Sequence, residues 1–352
     1  MLKADFQKYR LKFKLPAATS RGTYTLRESW FIRIYDTDPL HGFGLGECAP
    51  LPDLSPEYGE NYEKILREIC KDIRHYDQWP SDYLAGYSSV RMGLETALWD
   101  YRARGGKFFF DTGFCRGERG IPINGLIWMG PLDFMQNQIR GKIAEGYRCL
   151  KLKIGALGFQ RECDLIREIR TQYSQEDMEI RVDANGAFSV DDAKRKLDAL
   201  AALGIHSIEQ PIPVGQWREM ASLCRESPVP IALDEELIGI DSPAEKESLI
   251  QDIRPSYLVL KPSLHGGFSG CEDWIQIAAR VGVGWWITSA LESNIGLNAI
   301  AQWSSTLNNP LPQGLGTGQL FDNNFPAPLY IRHAQLWMNR NGKFDLSGLH
   351  HG

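Results

Sequence analysis

The chain has no C-x-x-C pair, no apolar run long enough to cross a membrane and no excess of positive charge. Each absence removes a class of explanation. Its seven cysteines, at 48, 70, 115, 149, 163, 224 and 271, are odd in number and scattered, so neither a disulfide framework nor a cysteine zinc site is expected. A formal charge of −5 argues against nucleic acid or an anionic membrane as the main partner. The opening MLKADFQKYR lacks the apolar core of a signal peptide, and the expectation is a cytoplasmic protein with no membrane partner. What is present is an ordinary globular composition, 43% hydrophobic and 24% charged over 352 residues, enough for one to three domains. Oligomeric state is left open.

The pattern changes near residue 115. Before it come strand-like runs at Tyr9–Leu15, Tyr24–Tyr35 and Gly42–Cys48, followed by two helical stretches. In the second stretch, 88–104, Val90, Leu94, Ala97, Leu98 and Tyr101 fall on one helical face. Strands followed by helices predict an α+β unit over 1–115. Segment 16–23, P-A-A-T-S-R-G-T, reads as a hairpin loop or a lid. After residue 120, short apolar strands alternate with amphipathic helical stretches. The strands are expected at Ile121–Trp128, Cys149–Ile154, Glu179–Val182, Ser207–Ile208, Pro230–Leu233, Tyr257–Leu260 and Trp285–Thr288. The expected architecture is α/β: a barrel over 116–329, with the tail 330–352 folding back onto the first domain. A doubly wound open sheet is the runner-up, but its first strand would normally lead into G-x-G-x-x-G, which is absent there.

The strand ends carry the chemistry. In C-L-K-L-K-I-G at 149–155, Lys151 and Lys153 share one strand face while Leu150, Leu152 and Ile154 share the other. In R-V-D-A-N, Arg181, Asp183 and Asn185 share a face; I-E-Q-P presents Glu209, A-L-D-E-E presents Asp234 with Glu235 next to it, and V-L-K-P-S presents Lys261. From Lys153 onward these groups recur at intervals of about 25 to 30 residues, one per repeating unit. Three carboxylates aimed into one interior would repel one another unless a cation held them. All-oxygen ligation suits Mg²⁺ best, with Mn²⁺ as the alternative. A neighbouring cation and a metal would lower the pKa of a lysine amine and fit it to act as a base. Arg181, Asn185 and Glu235 are expected to support the three ligands. His206 and His265 read as structural, and H-G-G-F-S-G at 265–270 as a turn into a helix.

Seven motifs together resemble the enolase superfamily over nearly the whole chain. They are G-E-C-A-P-L-P at 46–52, A-L-W-D at 97–100, K-L-K at 151–153, V-D-A-N at 182–185, I-E-Q-P at 208–211, D-E-E at 234–236 and L-K-P-S at 260–263. The resemblance implies a (β/α)7β modified TIM barrel with an N-terminal α+β capping domain. It implies Mg²⁺ on Asp183, Glu209 and Asp234, with Lys153 and Lys261 as opposed acid/base groups and Lys151 as the neighbouring cation. The chemistry is abstraction of a proton α to a carboxylate. Trp286–Ser289 offers no histidine, which sets aside the histidine-dependent branch of the superfamily. The loop at 46–57 and T-S-A-L-E-S-N-I-G at 288–296 resemble the o-succinylbenzoate synthase family. G-L-G-T-G at 314–318 lacks the carboxylates that grip an amino group in dipeptide epimerases. The resemblance therefore implies a small dicarboxylate substrate and its dehydration. Backbone N–H groups at Thr288 and Ser289, or at Gly314 and Gly316, are candidate contacts for its second carboxylate, and Arg21 is another. The alternatives are a dipeptide epimerase, an N-acylamino acid racemase and, from another class, a non-catalytic Mg²⁺-binding scaffold.

Overall fold

The computed structural model describes residues 1–19, 22–38, 42–80, 82–155 and 157–349. The chain opens with a three-stranded antiparallel sheet, β1 (Lys3–Thr19), β2 (Gly22–Tyr35) and β3 (Phe43–Cys48), in that spatial order. Alternation along β2 sends Trp30, Ile32 and Ile34 to one face, where helices α1 (Tyr62–Asp72) and α2 (Ser88–Arg102) cover them. Leu66 and Ile69 come from α1, and Val90, Leu94, Ala97 and Leu98 from α2. Glycine sets how closely α2 lies on β3. A Cβ on Gly46 would fall 1.8 Å from the carbonyl oxygen of Gly93, so any larger residue would push the helix off the sheet.

Seven parallel strands follow: β5 (Gly125–Ile127), β6 (Cys149–Lys153), β7 (Glu179–Asp183), β8 (Ser207–Glu209), β9 (Ile231–Leu233), β10 (Tyr257–Leu260) and β11 (Gly284–Ile287). They pair in chain order. Helices α3 (Leu132–Ala144), α4 (Phe159–Arg170), α5 (Val190–Ala201), α6 (Trp217–Glu226), α7 (Pro243–Ile253) and α8 (Gly267–Val281) connect them, and α9 (Asn294–Ser304) follows β11. The first and last strands are joined through residues 313–314. Gln313 bridges to Ile123 and Gly314 to Thr288, both parallel. The sheet therefore closes as (β/α)7β, and the open doubly wound alternative is set aside. Helix starts are locally encoded: the Ser189 hydroxyl accepts from the Asp192 N–H, and Ser242 caps α7 with Pro243 in its first turn.

Three boundaries differ from the sequence expectation. The single strand expected over 121–128 is two. β4 (Ile121–Pro122) pairs with the tail strand β13 (Gln335–Met338), which in turn pairs with β12 (Leu329–Arg332), while β5 alone enters the barrel. The expected loop at 16–23 is mostly strand, since Ala17 pairs with Tyr24 and Thr19 with Gly22 after a register shift beyond Lys12. The tail has two destinations. β12 and β13 stay with β4, and only its end reaches the first sheet, where Leu349, Phe344 and Leu346 pack with Phe31 and Leu45.

Candidate active site

Strand alternation on β6 puts Leu150 and Leu152 against the helices, fully buried, and turns Lys151 and Lys153 into the barrel. Register then aligns neighbours: Lys153 pairs with Asp183, and Asp183 with Glu209. The Lys151 ammonium donates to Glu209 Oε2 at 2.5 Å and lies 3.0 Å from Asp183 Oδ2. Lys153 donates to the same Asp183 oxygen at 3.0 Å and to Asn185 Oδ1 at 2.9 Å. Lys261 donates to Asp234. Carboxylate oxygens of Asp183, Glu209 and Asp234 lie within 4.8 Å of one another, and all three residues are buried.

Two oxygens of this triad, Glu209 Oε1 and Asp234 Oδ1, are buried with no hydrogen-bond partner among the described residues. An acceptor left unsatisfied in the interior is costly. The donor set fits a hard divalent cation, which would use those lone pairs. Burial pushes Glu209 up to about 7, with the charges of Asp183 and Asp234 adding to it. Burial pushes Asp183 the same way, but Lys151, Lys153 and Lys261 outweigh it and hold that carboxyl well below the usual range. Burial would lower Lys151 and Lys261, yet the facing carboxylates raise both above an ordinary lysine.

The supporting residues divide. Asn185, held in the left-handed region at φ 45°, accepts from Lys153 and donates from Nδ2 to Glu235 Oε1 at 3.0 Å. It thereby ties β7 to the turn after β9. Arg181 departs from the expectation. Its guanidinium bonds Glu179 and the carbonyl of Pro312 and lies 4.2 Å from the Trp286 ring, so it serves the start of β7 and not the acid cluster. His265 accepts the Lys261 backbone N–H on Nδ1 at 3.0 Å, and burial pushes it down to about 3. The turn at 265–270 leads into α8, whose first N–H groups at Phe268 and Ser269 donate to Glu95 of α2.

A cleft of about 750 Å³, counted out to its open mouth, lies over the lysines. Lys151, Lys153, Lys261, Asn185, Thr288, Ser289, Gly314 and Gly316 all line it. The backbone donors expected there are largely committed. Thr288 N–H donates to Leu260, Ser289 N–H to Gly314 and Gly314 N–H to Ile287, since these bonds close the barrel. The Thr288 hydroxyl, in contrast, is buried without a partner among the described residues, while that of Ser289 donates to Glu292. Arg21 lies outside the described residues. The sequence reading missed Tyr24, Leu51, Leu54, Asn124, Leu126, Trp128, Ala290, Leu291 and Thr317, which complete the lining. The alternation of Asn124, Leu126 and Trp128 was a usable signal, obscured by reading 121–128 as one strand. No carboxylate lines the cleft among the described residues.

The model of the Enolase C-terminal domain-like family matches residues 135–341. An o-succinylbenzoate synthase of Desulfotalea psychrophila (strain LSv54 / DSM 12343) is 45% identical, over 94% of this chain and 97% of its own. The crystal structure of MenC from Desulfotalea psychrophila LSv54 superposes with a TM-score of 0.86 at 40% identity, covering 96% of this chain and 99% of that one. The L-Ala-D/L-Glu epimerase of Bacillus subtilis, at 19% identity and a TM-score of 0.80 over 96% of each chain, shares the fold.

Proposed function

The chain belongs to the enolase superfamily, and from that premise we propose that it is a hydro-lyase of the o-succinylbenzoate synthase type, a step of menaquinone biosynthesis. Its substrate is 2-succinyl-6-hydroxy-2,4-cyclohexadiene-1-carboxylate. The observation that carries the reading within the fold is the lining of the cleft: three lysines, an apolar wall and no carboxylate among the described residues. Such a cleft suits a dianion and offers no counter-charge to an ammonium group.

In this reading Asp183, Glu209 and Asp234 hold Mg²⁺. When bound, the cation supplies positive charge where the substrate carboxylate gains negative charge on losing its α-proton. Lys153, on β6, removes that proton and returns it to the departing hydroxyl on the same face. A C–H bond and a C–O bond break, water leaves, and the ring becomes aromatic. Lys261 follows directly on the end of β10, four strands away in an eight-stranded closure and thus across the barrel. It keeps its proton and faces the developing charge as a cation. Asn185 orients Lys153, and Glu235 orients Asn185. The cap and barrel divide near residue 115, with the tail shared between them.

The test is the Mg²⁺-dependent loss of the diene absorbance. Lys153→Ala should lower kcat by roughly 10²- to 10⁴-fold. Lys261→Arg, which keeps the charge, should retain much of the dehydration. Undiminished turnover in Lys153→Ala, or none in the wild type, would remove the assignment.

A further inference from the structure

We infer that Asn124 is a specificity-determining residue, its side-chain amide donating to an oxygen of the substrate's succinyl tail. The inference rests on the functional reading above and adds a contact to it.

Asn124 is only 5% exposed and lines the cleft. Its backbone N–H is spent on Gln313, in the seam that closes the barrel. Its side-chain amide, however, has no hydrogen-bonding partner among the described residues. Neither polar atom of that side chain is walled off from the cleft, so the free amide opens onto the space a ligand would occupy, where a Leu or Val would offer no donor. The amide of Asn185, half-buried in the same cleft, is by contrast bonded at both its oxygen and its nitrogen. An unpaired amide that faces a cleft is explained by a ligand that completes it.

Its depth says which part of the ligand that is. Asn124, Leu126 and Trp128 are successive inward positions. Leu126 pairs with Lys151, so Asn124 lies one inward position, roughly 6–7 Å, further down the strand axis than the lysine level. A ring carboxylate held at the acids and lysines leaves the ring against Leu126 and Trp128. Its side chain then points down toward Asn124. Across the closing seam is Thr288, whose hydroxyl is also unpartnered and which packs on Gly314. The two groups are neutral. They recognise an oxygen acceptor without adding a charge that would compete with the lysines for the ring carboxylate.

Asn124→Asp replaces the donor with an anion of the same shape, and Asn124→Leu removes it. Both should raise KM for the diene substrate roughly tenfold or more, with kcat changing less than about threefold, because the contact is remote from the reacting atoms. Inhibition by o-succinylbenzoate should weaken in step, whereas benzoate, which has no tail, should inhibit wild type and variants alike. A merely structural role would weaken both inhibitors together. Parallel loss of both, or KM and o-succinylbenzoate inhibition unchanged in both variants, would overturn the inference. Failure of the wild type to turn over the diene would instead remove the functional reading, and this contact with it. Should the charge prevent folding in Asn124→Asp, Asn124→Leu and Asn124→Ser carry the same comparison.

Discussion

Lys151 is the residue on which the electrostatics of the site turn. It is 6% exposed and bonded to two of the three acids, so it acts as their internal counter-ion. A divalent cation entering among Asp183, Glu209 and Asp234 would take over that duty. The consequence is a stability effect that depends on metal. Lys151→Met leaves buried carboxylates uncompensated, a loss of about 3–5 kcal/mol when one partner of a buried pair is removed. Thermal melts of the variant should lie well below wild type without Mg²⁺, and saturating Mg²⁺ should close most of the gap, because binding stabilises only the folded state. A gap equally wide with and without Mg²⁺ would mean that the acids do not hold the metal. Much of this site was legible in the sequence. A strand that alternates Leu and Lys in a parallel sheet has one place to put its charges. Arg181 obeyed the same alternation yet went elsewhere, because its long side chain finds Glu179 and the Pro312 carbonyl below the acids. The committed N–H groups of Thr288, Ser289 and Gly314 could not be read at all, since backbone pairing across the barrel seam leaves no mark on side-chain pattern.

At the scale of elements, the junction of α2 with α8 titrates. Glu95 accepts from the Phe268 and Ser269 N–H groups and from the Ser269 hydroxyl, closing the start of α8 from the neighbouring domain. Burial nevertheless pushes its pKa up from an ordinary 4.5 to about 7, against the pull of those donors. An acid whose pKa is raised on folding binds more protons folded than unfolded. Stability from this group is therefore full below pH 4.5 and falls as pH rises toward about 7, levelling off above. Glu95→Gln cannot ionise, so across that window the variant should gain on wild type as pH rises. Urea titrations at pH 5, 6, 7 and 8 would show it, and parallel pH profiles for the two proteins would refute it. The elements themselves were legible where one period ran uninterrupted, as in α2 and β6. They were misread where the chain changes partners without changing composition. Ile121–Pro122 and Gly125–Ile127 look like one strand but belong to two sheets, and only the far-away partner at 335–338 decides it.

At the scale of the whole molecule, a buried cation sits between the two parts of the chain. Arg27 of β2 is 2% exposed and donates to the carbonyls of Ala49 and Pro50 on the cap side and of Ala290 and Leu291 on the barrel side. Leu51, Ala290 and Leu291 all line the cleft, so the same guanidinium fixes both lips of the site. Its charge is balanced by two buried acids that are themselves shared. Glu47 accepts from Ser29 in the cap and from Ser293 and Gly296 at the start of α9, and Glu292 accepts from Ser263, Ser289 and the Ala290 N–H. Burial lowers the Arg27 pKa, and Glu292 and Glu47 work against that loss. A planar fork with five donors can meet four carbonyls from two directions, whereas an ammonium on a single stem cannot. Arg27→Lys should therefore fold, with a lowered melting temperature and a KM raised by roughly tenfold, while kcat, set at Lys153, falls much less. Arg27→Met also leaves Glu47 and Glu292 without their cation, a further cost of about 3–5 kcal/mol. If Arg27→Lys kept both the wild-type KM and the wild-type melting temperature, the carbonyl clamp would be incidental, and the lips of the cleft would be held by the Leu51, Leu264 and Ala290 contacts alone.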